Sequence, residues 1–145
     1  MYQAMKKYRV GYTAGVFDLF HIGHLNILKC SKEMCDHLIV GVSTDELTES
    51  YKGKKPIIPY KERKEIVEAI MYVDEVVPQT TRDKCAALST LDFNVMFVGD
   101  DWKGSDIFSR TEKEFAKEGV DIVYFPYTHG TSSTLLTDIL RKSLE

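Results

Sequence analysis

Short apolar runs recur along the chain and alternate with stretches whose apolar residues fall at helical spacing. The runs 8–14, 37–42, 74–77, 94–98 and 120–125 read as strands. The segments 22–35, 60–72, 83–91, 111–118 and 133–142 read as helices. Inner candidates are Leu25, Ile27 and Leu28 in the first helix, and Ile66, Val67, Ile70 and Met71 in the second. Pro78 is expected to stop the third strand, because it lacks a donor for the ladder. HLIVGV at 37–42 and NVMFV at 94–98 are almost wholly apolar rather than alternating, as strands covered on both faces require. Strands and helices in turn at this spacing imply an α/β fold with a parallel sheet and right-handed crossovers.

Composition narrows the setting. A chain of 145 residues fits one domain, 1–145, and can bury a core without disulfides or metal staples. A net charge of -3 lacks the broad basic surface that nucleic acid needs, but leaves room for a local cluster that grips a nucleotide. Cys30, Cys35 and Cys85 are odd in number and lack metal-ligand spacing, so they read as reduced core thiols of a cytoplasmic protein. The first ten residues carry no apolar segment of a secretory signal, and no run approaches a membrane span. The expectation is a cytoplasmic protein with neither nucleic acid nor membrane as partner.

In parallel sheets ligands bind beyond the carboxyl ends of the strands. Four unusual segments stand there. The first is GVFDLFHIGH, running from Gly15 to His24 at a strand-to-helix turn. Gly15 allows close backbone approach, and the helix amino end offers free N–H groups to a phosphate. His21 and His24 are three apart, so both rings reach one side of a turn, and Gly23 removes bulk where a phosphate would lie. Two imidazoles there can donate to phosphate oxygens whose charge grows during transfer. A helix cap is the plainer reading of either histidine alone. No third ligand with suitable spacing supports zinc, so no protein-held metal is expected.

The second segment is STDE at 43–46, either a helix cap followed by acids or a place where Asp45 meets a ligand. Lys52, Lys54 and Lys55 follow around Gly53, as a phosphate clamp or a solvated loop. Arg63 points inward near a helix amino end and needs an anionic partner, for which Asp74 and a phosphate are the candidates. The third segment, Gly99-Asp100-Asp101-Trp102, brings acids and the lone tryptophan to a strand end. The fourth, YTHGTSST from Tyr127 to Thr134, sets hydroxyls and Gly130 at the start of the last helix, a phosphate cradle as well as a cap.

HIGH, in the setting GVFDLFHIGH, resembles the HxGH motif of the nucleotidyltransferase superfamily. The wider match to GTFDLLHxGH, with STDE and GDDW, is similar to the cytidylyltransferases that act on glycerol 3-phosphate. Class I aminoacyl-tRNA synthetases share the HIGH motif, but this chain is far too short and has no KMSKS-like run. The resemblance spans about 8–140 and implies a Rossmann-like domain with a five-stranded parallel sheet, helices on both faces, and a homodimer.

It also implies roles. Catalysis would fall to His21, His24 and Lys52. The nucleotide would meet Val16, Phe17, His21, His24, Lys54, Asp101, Tyr127, Thr128, Gly130, Thr131, Ser132, Ser133 and Thr134. The phosphorylated alcohol would meet Asp18, Asp45, Lys52, Asp74, Lys84 and Trp102, with Arg63 in support. CTP would donate CMP, pyrophosphate would leave, and Mg²⁺ would travel with the triphosphate. The family pattern RTEGISTT departs here, with Tyr127 for Arg and His129 for Glu. The SST form also occurs in adenylyltransferases, so ATP transfer to a sugar phosphate or flavin precursor is the alternative. A non-catalytic nucleotide-binding regulator is the alternative of another class.

Overall fold

The computed structural model describes residues 6–126, 128, 130 and 132–144. Five parallel strands form one sheet: β1 (Tyr8–Gly15), β2 (Cys35–Ser43), β3 (Glu75–Gln79), β4 (Val95–Gly99) and β5 (Asp121–Phe125). Their spatial order is β3-β2-β1-β4-β5, the doubly wound arrangement expected. Six helices accompany them: α1 (Ile22–Met34), α2 (Asp45–Lys52), α3 (Tyr60–Glu68), α4 (Lys84–Leu91), α5 (Asp106–Lys117) and α6 (Ser133–Leu144).

Alternate residues of the inner strands feed two cores. Leu38, Val40, Val42, Val95 and Phe97 pack with Leu28 of α1 and Val67 of α3 on one face. Tyr12, Ile39, Met96 and Val98 pack with Phe108 and Phe115 of α5 on the other, where α4 adds Leu88 and Leu91. Both faces of the sheet are therefore covered, which explains the unbroken apolar runs.

Several local expectations are corrected. α2 is a helix that the apolar pattern does not announce. It starts because Thr44 Oγ1 accepts from Leu47 N–H at 3.1 Å, and it ends at Gly53, whose φ of 77° is left-handed. The cap reading of STDE is the observed one. Pro78 does not end β3, because β3 is an edge strand where a missing donor costs no ladder bond. α3 stops at Glu68, and its inner stripe is Arg63 and Val67. Ile66 is therefore 43% exposed and Met71, beyond the helix, 84%. α5 begins before 111, where Ser105 Oγ caps Phe108 N–H at 3.3 Å.

Candidate active site

The strand order reverses between β1 and β4, and there the carboxyl ends open onto a cleft of about 1090 Å³. Residues 13–18 line its floor, β4 and the turn after it one side, and 52–57, Arg82, Lys84 and α6 the rim.

His21 is the amino cap of α1. Its Nδ1 accepts from Gly23 N–H at 3.0 Å, and His24 Nδ1 accepts from His21 N–H at 3.2 Å. The cap reading of His21 is thus the observed one. Each ring spends Nδ1 as an acceptor, so a neutral ring carries its proton on Nε2. Desolvation lowers the pKa of both rings, and His24 falls to about 3 with its His21 neighbour adding to the effect. At neutral pH both are therefore uncharged Nε2–H donors. The two rings lie 3.9 Å apart, and both line the cleft. His24 also rests between Phe17 and Phe20 at 5.2 and 5.3 Å, and its Nε2 faces Ser133 Oγ at 3.5 Å.

Gly23 lines the cleft and also serves the turn itself. A Cβ there would lie 2.8 Å from His21 Cε1, so the missing side chain makes room for the histidine's own ring. The loop is strained: Phe17 and Leu19 have φ of 55° and 51°, left-handed values that cost about 1–3 kcal/mol each. Asp18 holds this loop in place. Its two carboxylate oxygens accept from Ile57 N–H and Ile58 N–H at 2.9 Å each, and its carbonyl accepts from Ser133 Oγ. Asp18 lines the cleft as a latch for these segments.

Arg63 is 1% exposed, and its carboxylate partner is Asp45 rather than Asp74. Nη2 donates to Asp45 Oδ1 at 2.6 Å, Nη1 to the carbonyls of Val16 and Ser43 at 2.6 and 2.8 Å, and Nε to the Ile58 carbonyl at 2.8 Å. One guanidinium ties the ends of β1 and β2 to the segment before α3, because its fork offers five donors. Asp45 also accepts from Tyr60 N–H at 3.3 Å and does not line the cleft. Asp74 accepts from Lys32 Nζ at 2.6 Å and Leu38 N–H at 2.8 Å, in the first half of β2 and away from the cleft. The substrate contacts expected of Asp45 and Asp74 are thus replaced by partners within the protein.

Val16, Phe17, Lys52, Lys54, Lys84, Asp101, Trp102, Thr128, Ser132, Ser133 and Thr134 all line the cleft. Asp101 folds back over Gly99, where a Cβ would meet its Oδ1 at 2.6 Å. Ser132 caps α6 by accepting from Leu135 N–H at 3.1 Å, after Gly130 with φ of 107°. Thr128 Oγ1 accepts from Asn26 Nδ2 at 3.3 Å. Tyr127 and Thr131 lie outside the described residues. Desolvation lowers the pKa of Lys84 to about 8, with Arg82 adding and Asp83 opposing. Desolvation also lowers that of Lys52, against Asp18 and with Lys54 and Arg82.

Tyr51, Gln79, Arg82 and Arg141 line the cleft too and were missed by sequence reasoning. Arg82 follows β3 directly, so the rule of searching after each strand finds it once β3 is extended past Pro78.

Comparison with known proteins agrees with this geometry. The cytidylyltransferase-like family model matches residues 12–139. Glycerol-3-phosphate cytidylyltransferase of Bacillus spizizenii is 41% identical over 84% of this chain and 89% of its own length. FAD synthase of Pyrococcus abyssi is 34% identical over 92% of this chain and 90% of its own length. In fold, a lipopolysaccharide core biosynthesis protein from Thermoplasma volcanium superposes with a TM-score of 0.69 at 22% identity, covering 86% of this chain and 99% of that one. With its intact HIGH turn at the reversal point of the sheet, the chain belongs to the cytidylyltransferase-like family.

Proposed function

We propose that this protein transfers CMP from CTP to a small phosphorylated alcohol of the glycerol 3-phosphate kind and releases pyrophosphate. The observation that carries the reading is the capped histidine pair, whose Nδ1 atoms both accept backbone N–H groups while both residues line the cleft. A phosphate oxygen of the acceptor attacks the α-phosphorus of CTP, and the bond from that phosphorus to the bridging oxygen breaks. No protein nucleophile is needed, only position and charge stabilisation. His21 and His24 donate to oxygens whose charge grows, and the amino end of α6 with Ser132, Ser133 and Thr134 takes the β- and γ-phosphates. Lys54 neutralises the triphosphate, and Lys52 and Lys84 the incoming phosphate. Asp101 and Trp102 stand where the nucleoside and acceptor meet.

Among the described residues no three His, Cys, Asp or Glu side chains are grouped as metal ligands. A magnesium ion would arrive on the triphosphate, held mostly by phosphate and water. When bound, it neutralises charge on the phosphates. A cytoplasmic location, in keeping with three free cysteines, and a homodimer complete the proposal. No helix among the described residues is long and apolar enough to cross a membrane.

The second reading is adenylyl transfer, favoured by the likeness to FAD synthase. Turnover of CTP and ATP side by side with a panel of phospho-alcohols decides between them, with CTP plus glycerol 3-phosphate expected to form a CDP-alcohol and pyrophosphate in equal amounts.

The lowered pKa of Lys84 gives this reading a pH signature. The charge on Lys84 is present below about 8 and is lost as pH rises through that value. The kcat/KM for the acceptor, which reports the free enzyme, should therefore fall above about pH 8. Lys84→Arg keeps its charge and should flatten the alkaline limb. A wild-type limb that Lys84→Arg leaves unchanged would move Lys84 out of the acceptor site.

A further inference from the structure

Three cations meet on one rim of the cleft. Lys52 ends α2, Arg82 lies between β3 and α4, and Lys84 opens α4, where the helix dipole disfavours a positive charge. Among the described residues none of the three forms a salt bridge. The nearest acid in sequence, Asp83, spends its carboxylate on Cys85 N–H and Ala86 N–H at 3.0 and 3.4 Å as the cap of α4.

Arg82 is held in a particular way. Its guanidinium lies over the Tyr51 ring, 4.3 Å from the centroid, and Lys52 Nζ lies 5.9 Å from the same centroid. The ring that could cage a substrate ammonium is thus occupied by the protein's own cation. With its central carbon over the ring, the guanidinium can still turn its N–H edge to a planar pair of oxygens, which suits phosphate. Asp18 and Asp83 offset part of the repulsion on Lys52 and Lys84, and a multiply charged anion would relieve the rest.

We infer that Arg82, seated on Tyr51, binds the acceptor phosphate together with Lys52 and Lys84 and restricts acceptors to phosphate monoesters whose alcohol carries no positive charge. This rests on the nucleotidyl-transfer reading above and names the acceptor class for it. A choline or ethanolamine phosphate would bring its ammonium beside three cations and find the Tyr51 face already taken.

The test is steady-state kinetics of wild type, Arg82→Ala and Arg82→Lys with CTP and either glycerol 3-phosphate or phosphocholine, each variant first shown to melt like wild type. Wild type should use glycerol 3-phosphate with kcat/KM at least about tenfold above phosphocholine. Arg82→Ala should raise KM for glycerol 3-phosphate about 10- to 100-fold, the worth of a charge-assisted pair, with KM for CTP unchanged. It should also narrow the preference between the two acceptors. Arg82→Lys should recover only part of the affinity, since an ammonium cannot stack and fork together. A wild-type preference for phosphocholine, or an Arg82→Ala enzyme with unchanged KM and preference, overturns the inference alone. Absence of pyrophosphate from wild type with every acceptor overturns the transfer reading and this inference with it.

Discussion

Removing the imidazole of His21 or His24 lowers turnover about 100- to 1000-fold, the usual loss for one preorganised donor to a charged transition state. The double role of these residues shapes the experiment. His21→Ala also deletes the cap that Gly23 N–H donates to, at about 1 kcal/mol of stability. His21→Asn separates the two effects: its side-chain oxygen still accepts at the cap, but its short side chain places no donor where Nε2 stands. Melting temperature near wild type with turnover down at least a hundredfold is the expected pair of results for His21→Asn. Wild-type turnover in that variant would reduce the motif to a helix start.

Arg63→Met should be the most destabilising change near the site, although Arg63 touches no substrate. It removes four hydrogen bonds and leaves Asp45 and the carbonyls of Val16, Ser43 and Ile58 without their donor. Removing one partner of a buried pair costs about 3–5 kcal/mol, which for a chain this size lowers the melting temperature by roughly 10 °C. Arg63→Lys should recover little, because one ammonium cannot reach four acceptors spread over three segments. Chemical denaturation of the two variants measures this. A loss within about 0.5 kcal/mol, the range of ordinary surface changes, would contradict the keystone role.

Much of the fold was legible because its signals are local and periodic. The five strands follow from apolar runs, and their alternation with helices fixes a parallel sheet whose carboxyl ends hold the site. The HIGH turn is legible for the same reason, since its two histidines and Gly23 act on one another within a few residues. α2 was not, because DELTESYK carries no apolar stripe and only the Thr44 cap announces it. Met71 misled because periodicity does not mark where the helix stops, and Ile66 because the buried stripe runs through Arg63 and Val67 instead. The partner of Arg63 was missed because Asp45 and Asp74 are equally plausible in one dimension. Only the parallel pairing of β1 with β2 brings Val16 and Ser43 to the guanidinium. The Arg82–Tyr51 stack was out of reach in the same way, as it joins residues from opposite sides of α3 in the chain.

The central claim is that CTP is the donor, and the most direct measurement is kcat/KM for CTP and ATP at equal concentration with glycerol 3-phosphate and other phospho-alcohols in turn. A site that hydrogen-bonds a base edge rejects the wrong base strongly, because its buried polar groups are left unpaired. The account predicts that CTP exceeds ATP with the best acceptor and yields the CDP-alcohol. A higher kcat/KM for ATP with the best acceptor would contradict it and make the protein an adenylyltransferase.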